Sequence, residues 1–366
     1  MTARAVRLAS ASGCMGANYG TTDTIRTADE ESQMTGIAVI GLGNFGSALA
    51  RNWTVHGKSV RGWTVEDEVF ASIESAGVNE KYLPGIELPG LKATLDLGEA
   101  AEGAAILALA LPSHVVLSVV DQLIELLQDG QVLVDLAKGL APNEELVSEA
   151  IAAKLAAAGR GNPLAVMTGP TIAPELASGV LTTALVASAD EAVAQQLAEE
   201  LSTPTFNVAP AGDPLGVELW GAFKNVIALA CGVSDGLKLT GGLGGDNLKA
   251  ALFTVGFNEG RRVLTALGAQ PETAFSAAGI GDLFVTATSP HGRNRRTGEL
   301  LGRGQALDEA LGSTVMVSEG VRATRMFAAR TAAAGISAPF VTRVAELLDG
   351  KMSAEDGVRH MLSISA

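Results

Sequence analysis

Ile37-Ala38-Val39-Ile40-Gly41-Leu42-Gly43-Asn44-Phe45-Gly46 is the stretch that decides the fold of this chain. A short apolar run ends in three glycines spaced G-x-G-x-x-G, and a helical pattern follows from Ser47 to His56. Each glycine has a separate task. Gly41 permits a tight turn, Gly43 lets the backbone approach a pyrophosphate, and Gly46 lets the helix pack close to the strand. The N-terminus of that helix offers unpaired N–H groups and a partial positive charge to an anion. Alone the motif is weak, and a glycine turn without a ligand is the plainer alternative. Its weight comes from standing after a strand, before a helix and at the head of a series of βα units.

Outward from the turn the series continues. Val60-Arg61-Gly62-Trp63 reads as a second strand, and further apolar runs lie at residues 104–110, 132–136, 164–167, 181–187 and 205–208. Helical patterns fall between several of them, at residues 115–127, 143–157 and 191–201. This alternation implies an α/β fold, a Rossmann-like doubly wound and mainly parallel sheet. From Asp213 the patterns are helical only, at residues 215–233, 247–267, 318–334 and 342–348. A dinucleotide-binding domain over residues 36–207 and an all-helical substrate-binding and catalytic domain over residues 208–366 are therefore expected. The glycine-rich residues 240–245 read as a mobile loop between two helices.

Residues 1–35 differ in composition, with two Arg in the first seven positions and no apolar periodicity. A transit segment, a flexible tail and an upstream extension ahead of Met34 are the readings. The acidic cluster Asp29-Glu30-Glu31 favours a tail or extension.

At 366 residues two domains are the natural expectation, and 47 % hydrophobic against 18 % charged residues suits a globular protein with wide apolar faces. A net charge of −14 argues against nucleic acid or an anionic membrane as partner. A small anionic ligand then needs a locally basic pocket. Cys14 and Cys231 are the two cysteines, and neither a disulfide framework nor a metal-ligand cluster is visible, which fits a reducing compartment. Residues 103–120 carry no formal charge, but Pro112-Ser113-His114 interrupts them, so they read as a buried strand and a helix start rather than a membrane span.

Lys224 is the most informative candidate for chemistry. It is the only Lys or Arg between Asp213 and Lys238, inside Trp220-Gly221-Ala222-Phe223-Lys224-Asn225-Val226-Ile227-Ala228. A lone cation on so apolar a helix is partly desolvated, which lowers its pKa toward a range useful for proton transfer. The plainer alternative is a lysine that snorkels to solvent or pairs with Glu218. Arg293-Asn294-Arg295-Arg296 reverses the sign of charge in an acidic chain and can clamp a phosphate, or be a solvated charge run. Asp282, in Gly281-Asp282-Leu283, can hold a substrate hydroxyl or cap a turn. Lys138 ends the strand pattern Val132-Leu133-Val134-Asp135-Leu136-Ala137-Lys138, at the carboxyl edge where open α/β sheets bind ligands. Thr168-Gly169-Pro170-Thr171-Ile172-Ala173 comes after another strand in the same way.

Cofactor choice turns on the end of the second strand. NAD-preferring sites usually place an acidic residue there, about 20 residues after the first glycine. Here Arg61-Gly62-Trp63-Thr64-Val65 occupies that region and Glu66-Asp67 arrives slightly late. Arg61 can serve a 2′-phosphate or point to solvent. The reading favours NADPH and keeps NADH open.

Together these segments resemble the NAD(P)-dependent glycerol-3-phosphate dehydrogenase family. The matching pieces are Gly41-Leu42-Gly43-Asn44-Phe45-Gly46, Leu111-Pro112-Ser113-His114, Ala137-Lys138-Gly139-Leu140, Gly169-Pro170-Thr171, Phe223-Lys224-Asn225-Val226-Ile227-Ala228, Gly281-Asp282-Leu283, Arg293-Asn294-Arg295-Arg296 and Val317-Ser318-Glu319-Gly320. They occur in the family's order over roughly residues 36–350. The resemblance implies hydride transfer between NADPH or NADH and dihydroxyacetone phosphate, giving sn-glycerol 3-phosphate as a glycerolipid precursor. It implies Lys224 as general acid and base, with Lys138 and Asp282 beside the reacting carbons. Gly169, Thr171, Gly292, Arg293 and Asn294 would line the substrate site. Gly41, Gly43, Asn44, Phe45, Gly46, Lys138, Ala173, Arg293, Val317 and Glu319 would meet the nucleotide. Gly292 stands where the family commonly has Ser, and residues 237–245 are longer than in the common bacterial form. No metal is expected, nor stable membrane insertion. A cytoplasmic homodimer is expected, with a plastid location if residues 1–35 are a transit segment.

Two other readings compete. A ketopantoate-like or 3-hydroxyacid dehydrogenase also places a lysine on a helix after the nucleotide domain, but the Gly-Asp-Leu and Arg-Asn-Arg-Arg segments favour a phosphorylated substrate. A nucleotide sensor without turnover would not need Lys138, Lys224, Asp282 and Arg293 together.

Overall fold

Ile37–Ile40 (β1) is buried at all four positions, so both faces of this strand must be covered. The computed structural model describes residues 36–141, 145–290, 292–312 and 319–363. The expectations for residues 1–35 and for Val317 lie outside the described residues. After β1 come α1 (Asn44–Val55), β2 (Val60–Trp63), α2 (Asp67–Ala76), the hairpin β3 (Val78–Asn79) and β4 (Leu83–Glu87), β5 (Lys92–Thr94), α3 (Leu97–Ala101) and β6 (Ile106–Leu109). Then come α4 (Val116–Ile124), β7 (Val132–Asp135), α5 (Val147–Ala157), β8 (Leu164–Thr168), α6 (Ala173–Ala177), β9 (Thr182–Ser188), α7 (Glu191–Leu201) and β10 (Phe206–Ala211).

Eight strands form one sheet in the order β10-β9-β8-β7-β6-β1-β2-β5. From β5 to β8 all pairs are parallel; β9 runs antiparallel to β8, and β10 parallel to β9. The strand order reverses at β1 and β6, so the residues after Ile40 and after Leu109 diverge and open a crevice at their carboxyl ends. Separate apolar clusters cover the two faces, one around Val39, Trp53 and Phe206, the other around Ile40, Leu107 and Val120. Residues 103–120 thus contain β6 and the start of α4, as the interrupting Pro112 implied. The hairpin and β5 are not legible in the sequence, because residues 79–92 mix charges with Pro84, Gly85, Pro89 and Gly90 and show no clean alternation.

Beyond β10 the described chain is helical: α8 (Pro214–Leu239), α9 (Asp246–Ala266), a 3₁₀ turn (Pro271–Phe275), a π turn (Ala277–Gly281), α10 (Asp282–Thr288) and α11 (Arg293–Gly302). α12 (Leu307–Gly312), α13 (Glu319–Ala333), α14 (Pro339–Leu348) and α15 (Ala354–Leu362) complete it. Among the described residues only α8 is long and apolar enough to cross a membrane, and its apolar window is wholly buried within the protein. Residues 240–245 form a turn tied by hydrogen bonds: Gly242 N–H donates to Leu237, and Ser234 Oγ donates to the carbonyl of Gly245 at 2.9 Å.

α8 and α11 cross with their backbones almost touching. An added Cβ at Gly232 or Gly236 would lie 2.0–2.1 Å from the carbonyl oxygens of Arg295 and Glu299. One at Gly298 would lie 1.9 Å from that of Leu229. Glycines four apart on each helix therefore permit the approach, and it sets the start of α11 beside the middle of α8.

Candidate active site

Five segments supply the site: the ends of β7 and β8, the middle of α8, and the first turns of α10 and α11. Asp282 is 2 % exposed. The wide π turn before it, where Gly279 has non-helical torsions of φ −86° and ψ −105°, turns its carboxylate inward. Ser276 Oγ caps that turn by accepting from the N–H groups of Ala278 and Gly279. Lys224 is 3 % exposed and donates to Asp282 Oδ2. Lys138 donates to the same oxygen at 3.1 Å, to the carbonyl of Gly169 at 2.8 Å and to Thr171 Oγ1 at 3.1 Å. Thr168 Oγ1 donates to Asp282 Oδ2 at 3.3 Å. Lys224 therefore neither snorkels nor pairs with Glu218, which instead accepts from Ser148 on α5.

Electrostatics follow from this enclosure. Burial pushes the Lys224 ammonium down to about 8, against the pull of Asp282 in the other direction. Burial alone would raise the Asp282 carboxyl, but the charges of Lys138 and Lys224 hold it below the usual carboxylate range. The outcome is an anion clamped between two cations, one of which loses its proton at about pH 8 rather than in the usual lysine range.

The neighbouring positions divide the expected roles. Asn225, next to Lys224, donates to the carbonyl of Lys138 at 3.3 Å and accepts from Asn294 Nδ2 at 2.8 Å. Asn294 Oδ1 accepts from the N–H of Gly320 at 2.9 Å, so its side chain ties α8, α11 and α13 together. Gly292 caps α11. The three arginines do not act as one clamp, which corrects the expectation drawn from their spacing. Arg295 pairs with Asp235 at 2.7 Å and Arg296 with Glu299. Arg293 is exposed, and its guanidinium makes no hydrogen bond or ion pair among the described residues. Arg295 points about 200° around the helix from Arg293, whereas Arg296, three residues on, shares the face of Arg293 but is taken by Glu299.

The nucleotide end fits a dinucleotide. Gly41 has φ 109°, and a Cβ there would lie 2.7 Å from the carbonyl oxygen of Ala110. A Cβ at Gly46 would lie 1.9 Å from the carbonyl oxygen of Gly41. Around Gly43 nothing lies within 4 Å of such a Cβ, so no protein contact demands its missing side chain and the space above it is open to a ligand. Phe45 of the glycine turn lies beside the candidate catalytic cations, with Lys138 Nζ 5.8 Å from its ring centre. Asn44 Nδ2 is committed to the carbonyl of Tyr82 at 2.6 Å. Glu319 is half-buried at the start of α13, where a Cβ on Gly139 would come within 3.0 Å of its Oε1. Burial raises its carboxyl, opposed by Arg293 and Lys224.

Two expected positions fall elsewhere. The Ala173 side chain belongs to the apolar cluster beneath the sheet, leaving only its backbone for a ligand. Arg61, only partly buried, donates to the backbone carbonyl of Glu99 on α3. Sequence reading missed Arg322, which donates to the carbonyls of Leu140 and Ala141 at 3.0 and 2.8 Å and so fixes the loop carrying Lys138. It also missed Asp135, fully buried, whose Oδ2 has no partner among the described residues.

Residues 36–194 and 213–359 match the models for the N- and C-terminal parts of NAD-dependent glycerol-3-phosphate dehydrogenase. The chain belongs to this family. A glycerol-3-phosphate dehydrogenase (NAD(P)+) of Moorella thermoacetica is 40 % identical over 85 % of this chain and 91 % of its own length. One from Parvibaculum lavamentivorans is 38 % identical over 89 % and 96 %. The crystal structure of the glycerol-3-phosphate dehydrogenase of Coxiella burnetii superposes with a TM-score of 0.81 at 34 % identity, covering 90 % of this chain and 98 % of that one. A Ralstonia eutropha ketopantoate reductase reaches only 0.56 at 15 % identity, a likeness of fold alone. Family membership makes the cofactor a nicotinamide dinucleotide, and the Gly41–Gly46 cradle accommodates one.

Proposed function

We propose that this chain transfers a hydride between NAD(P)H and dihydroxyacetone phosphate, reversibly giving sn-glycerol 3-phosphate, with Lys224 as general acid and base. The observation that carries this reading is the convergence of Lys224 and Lys138 on the buried carboxylate of Asp282. When bound, the nicotinamide supplies the hydride to the ketone carbon. Lys224 donates its proton to the ketone oxygen as negative charge builds there, and in the reverse direction the neutral amine accepts the hydroxyl proton. Its lowered pKa suits both tasks. Lys138 and protonated Lys224 stabilise the developing oxyanion, while Asp282 orients both ammonium groups. Arg293 and the first N–H groups of α11 hold the phosphate, because that guanidinium has no ion pair among the described residues and a helix N-terminus attracts anions. Thr171 and Gly169 orient Lys138. Glu319 and Phe45 flank the nicotinamide side of the crevice.

Residues 36–207 would then hold the nucleotide and residues 208–366 the substrate, a division supported by where the glycine turn and Lys224 lie. The product would serve as a precursor for glycerolipids. A cytoplasmic homodimer completes the proposal. Buried Cys231 as a free thiol and the exposed aromatic rings of Phe275 and Phe284 support it. Light scattering behind size exclusion reads the oligomeric state.

The deciding assay follows loss of reduced-nicotinamide absorbance with purified protein, either dinucleotide, and dihydroxyacetone phosphate or ketopantoate. Turnover with dihydroxyacetone phosphate is expected. Turnover with ketopantoate alone would overturn the reading.

A further inference from the structure

We infer that Glu66, fixed by Tyr82 and Lys81 at the carboxyl end of β2, receives the adenosine ribose hydroxyls and makes this enzyme prefer NADH to NADPH. The inference rests on the dehydrogenase reading and deepens it by naming the cofactor.

The chain places Glu66 beside the glycine turn through backbone bonds. The carbonyl of Trp63, the last residue of β2, accepts from the N–H groups of Gly41 and Leu42 at 3.0 and 3.1 Å. The residues just past β2 therefore border the pyrophosphate cradle. Thr64 Oγ1 then accepts from the N–H of Glu66 at 3.2 Å and bends the chain into α2.

The β3–β4 hairpin fixes the carboxylate. Tyr82 donates its hydroxyl to Glu66 Oε1 at 2.8 Å, and Lys81 pairs with Glu66 and Glu68. The hairpin itself is seated on the cradle. Asn44, in the glycine turn, donates to the Tyr82 carbonyl, while Asn79 donates to the Leu42 carbonyl at 2.8 Å and to Ser47 Oγ at 2.9 Å. Glu66 is thus held against the same turn that the dinucleotide must cross. Slight burial works the other way, but Lys81 and Tyr82 hold its carboxyl below the usual range, so it is an anion at neutral pH. Its side chain stays 31 % exposed, open to a ligand.

Charge then decides between the two dinucleotides. NADPH differs from NADH by a 2′-phosphate carrying a charge of about −2. Such a group needs an uncommitted cation. Among the described residues Lys81 is paired with two carboxylates, while Arg61 reaches to the backbone carbonyl of Glu99 on α3 and Arg51 to those of Glu87 and Ala177, so none of these side chains is directed at the bend that carries Glu66. Lys58 and Lys92 lie toward the amino ends of β2 and β5, away from the cradle. Glu66 and Glu68 share the single ammonium of Lys81, and Asp67 lies between them in sequence, so this corner is negative. Ribose hydroxyls can donate to a carboxylate; a phosphate only repels it. Val65, which is 72 % exposed at the same bend, offers an apolar face to the base.

The test reads binding as well as turnover. Dissociation constants of NADH and NADPH are measured by dinucleotide fluorescence on the whole protein, with ADP-ribose and its 2′-phosphate as competing fragments. For the unaltered protein NADH is expected to bind about tenfold tighter or more. Glu66→Gln should narrow that ratio, Glu66→Arg should invert it, and Tyr82→Phe should narrow it less than Glu66→Gln. NADPH binding as tight as NADH, with dihydroxyacetone phosphate still reduced, overturns this inference and leaves the dehydrogenase reading standing. Binding of neither dinucleotide overturns both. If Glu66→Arg does not fold, the ratio for the unaltered protein remains decisive.

Discussion

Lys224, in the middle of a long apolar helix, donates to the carboxylate of Asp282, 58 residues further along the chain. Among the described residues neither side chain has another ionised partner of opposite sign within ion-pairing distance except Lys138, which joins the same carboxylate. A buried cation in this setting has a strongly protonation-dependent environment, and its consequences can be measured.

With Lys224 at about 8, reduction of dihydroxyacetone phosphate needs the protonated form, so kcat is expected to fall as pH rises through that value. Oxidation of sn-glycerol 3-phosphate should rise over the same range. Lys224→Ala is expected to lower kcat by about 10²–10⁴-fold. Asp282→Asn removes the charge that holds the Lys224 proton on, so the falling limb for reduction should move to lower pH. Paired pH–rate profiles check both, and an unmoved limb in Asp282→Asn would count against the assignment.

Arg293 and Arg295 are two residues apart yet should behave oppositely on mutation. Arg293→Ala is expected to raise KM for the phosphorylated substrate by about 10–100-fold with thermal stability nearly unchanged. Arg295→Ala leaves Asp235 with only Lys249 and should cost about 1–3 kcal/mol of stability with a small change in KM. Steady-state kinetics and thermal melts on both variants separate the roles.

Gly43 and Gly46 give a second contrast inside one motif. At Gly43, where φ is −73°, an added methyl meets no protein atom, so Gly43→Ala should fold normally and bind dinucleotide about tenfold more weakly. At Gly46 the methyl would collide with the Gly41 carbonyl, so Gly46→Ala should lower stability by about 1–3 kcal/mol or more. Melting temperature and dinucleotide affinity, measured together, test the pair.

Asp135 lies at the end of β7, and burial first, then nearby Glu218, raises its carboxyl well above the ordinary value. A carboxyl that binds its proton more tightly when folded makes stability fall as pH rises from about 4 toward the folded pKa. Asp135→Asn keeps the shape and removes the titration. It is expected to raise the melting temperature at pH 7, with the gain shrinking as pH falls toward 4. Equal shifts at both pH values would show that the carboxyl charge is not the cause.

The nucleotide half of the molecule is legible in the sequence because its signals are local. A strand, a tight turn and a helix start are set by neighbouring residues, so Ile37 to Gly46 carries them without help. Lys224 is legible as an anomaly, a single cation in an apolar helix. The hairpin over residues 78–87 is not, since its short strands are defined by pairing with each other and by Asn79 and Tyr82 reaching the glycine turn.

By itself the sequence determined the βα series, the change to helices after residue 213, and the residue types available for proton transfer and phosphate binding, because backbone preference and apolar periodicity act over a few residues. Only the tertiary structure decided which cations are free. Whether Arg61, Arg295 or Lys81 can meet a ligand depends on partners 4 to 60 residues away, and an ion pair that offsets a charge, or a carbonyl that redirects a side chain, leaves no mark on local sequence.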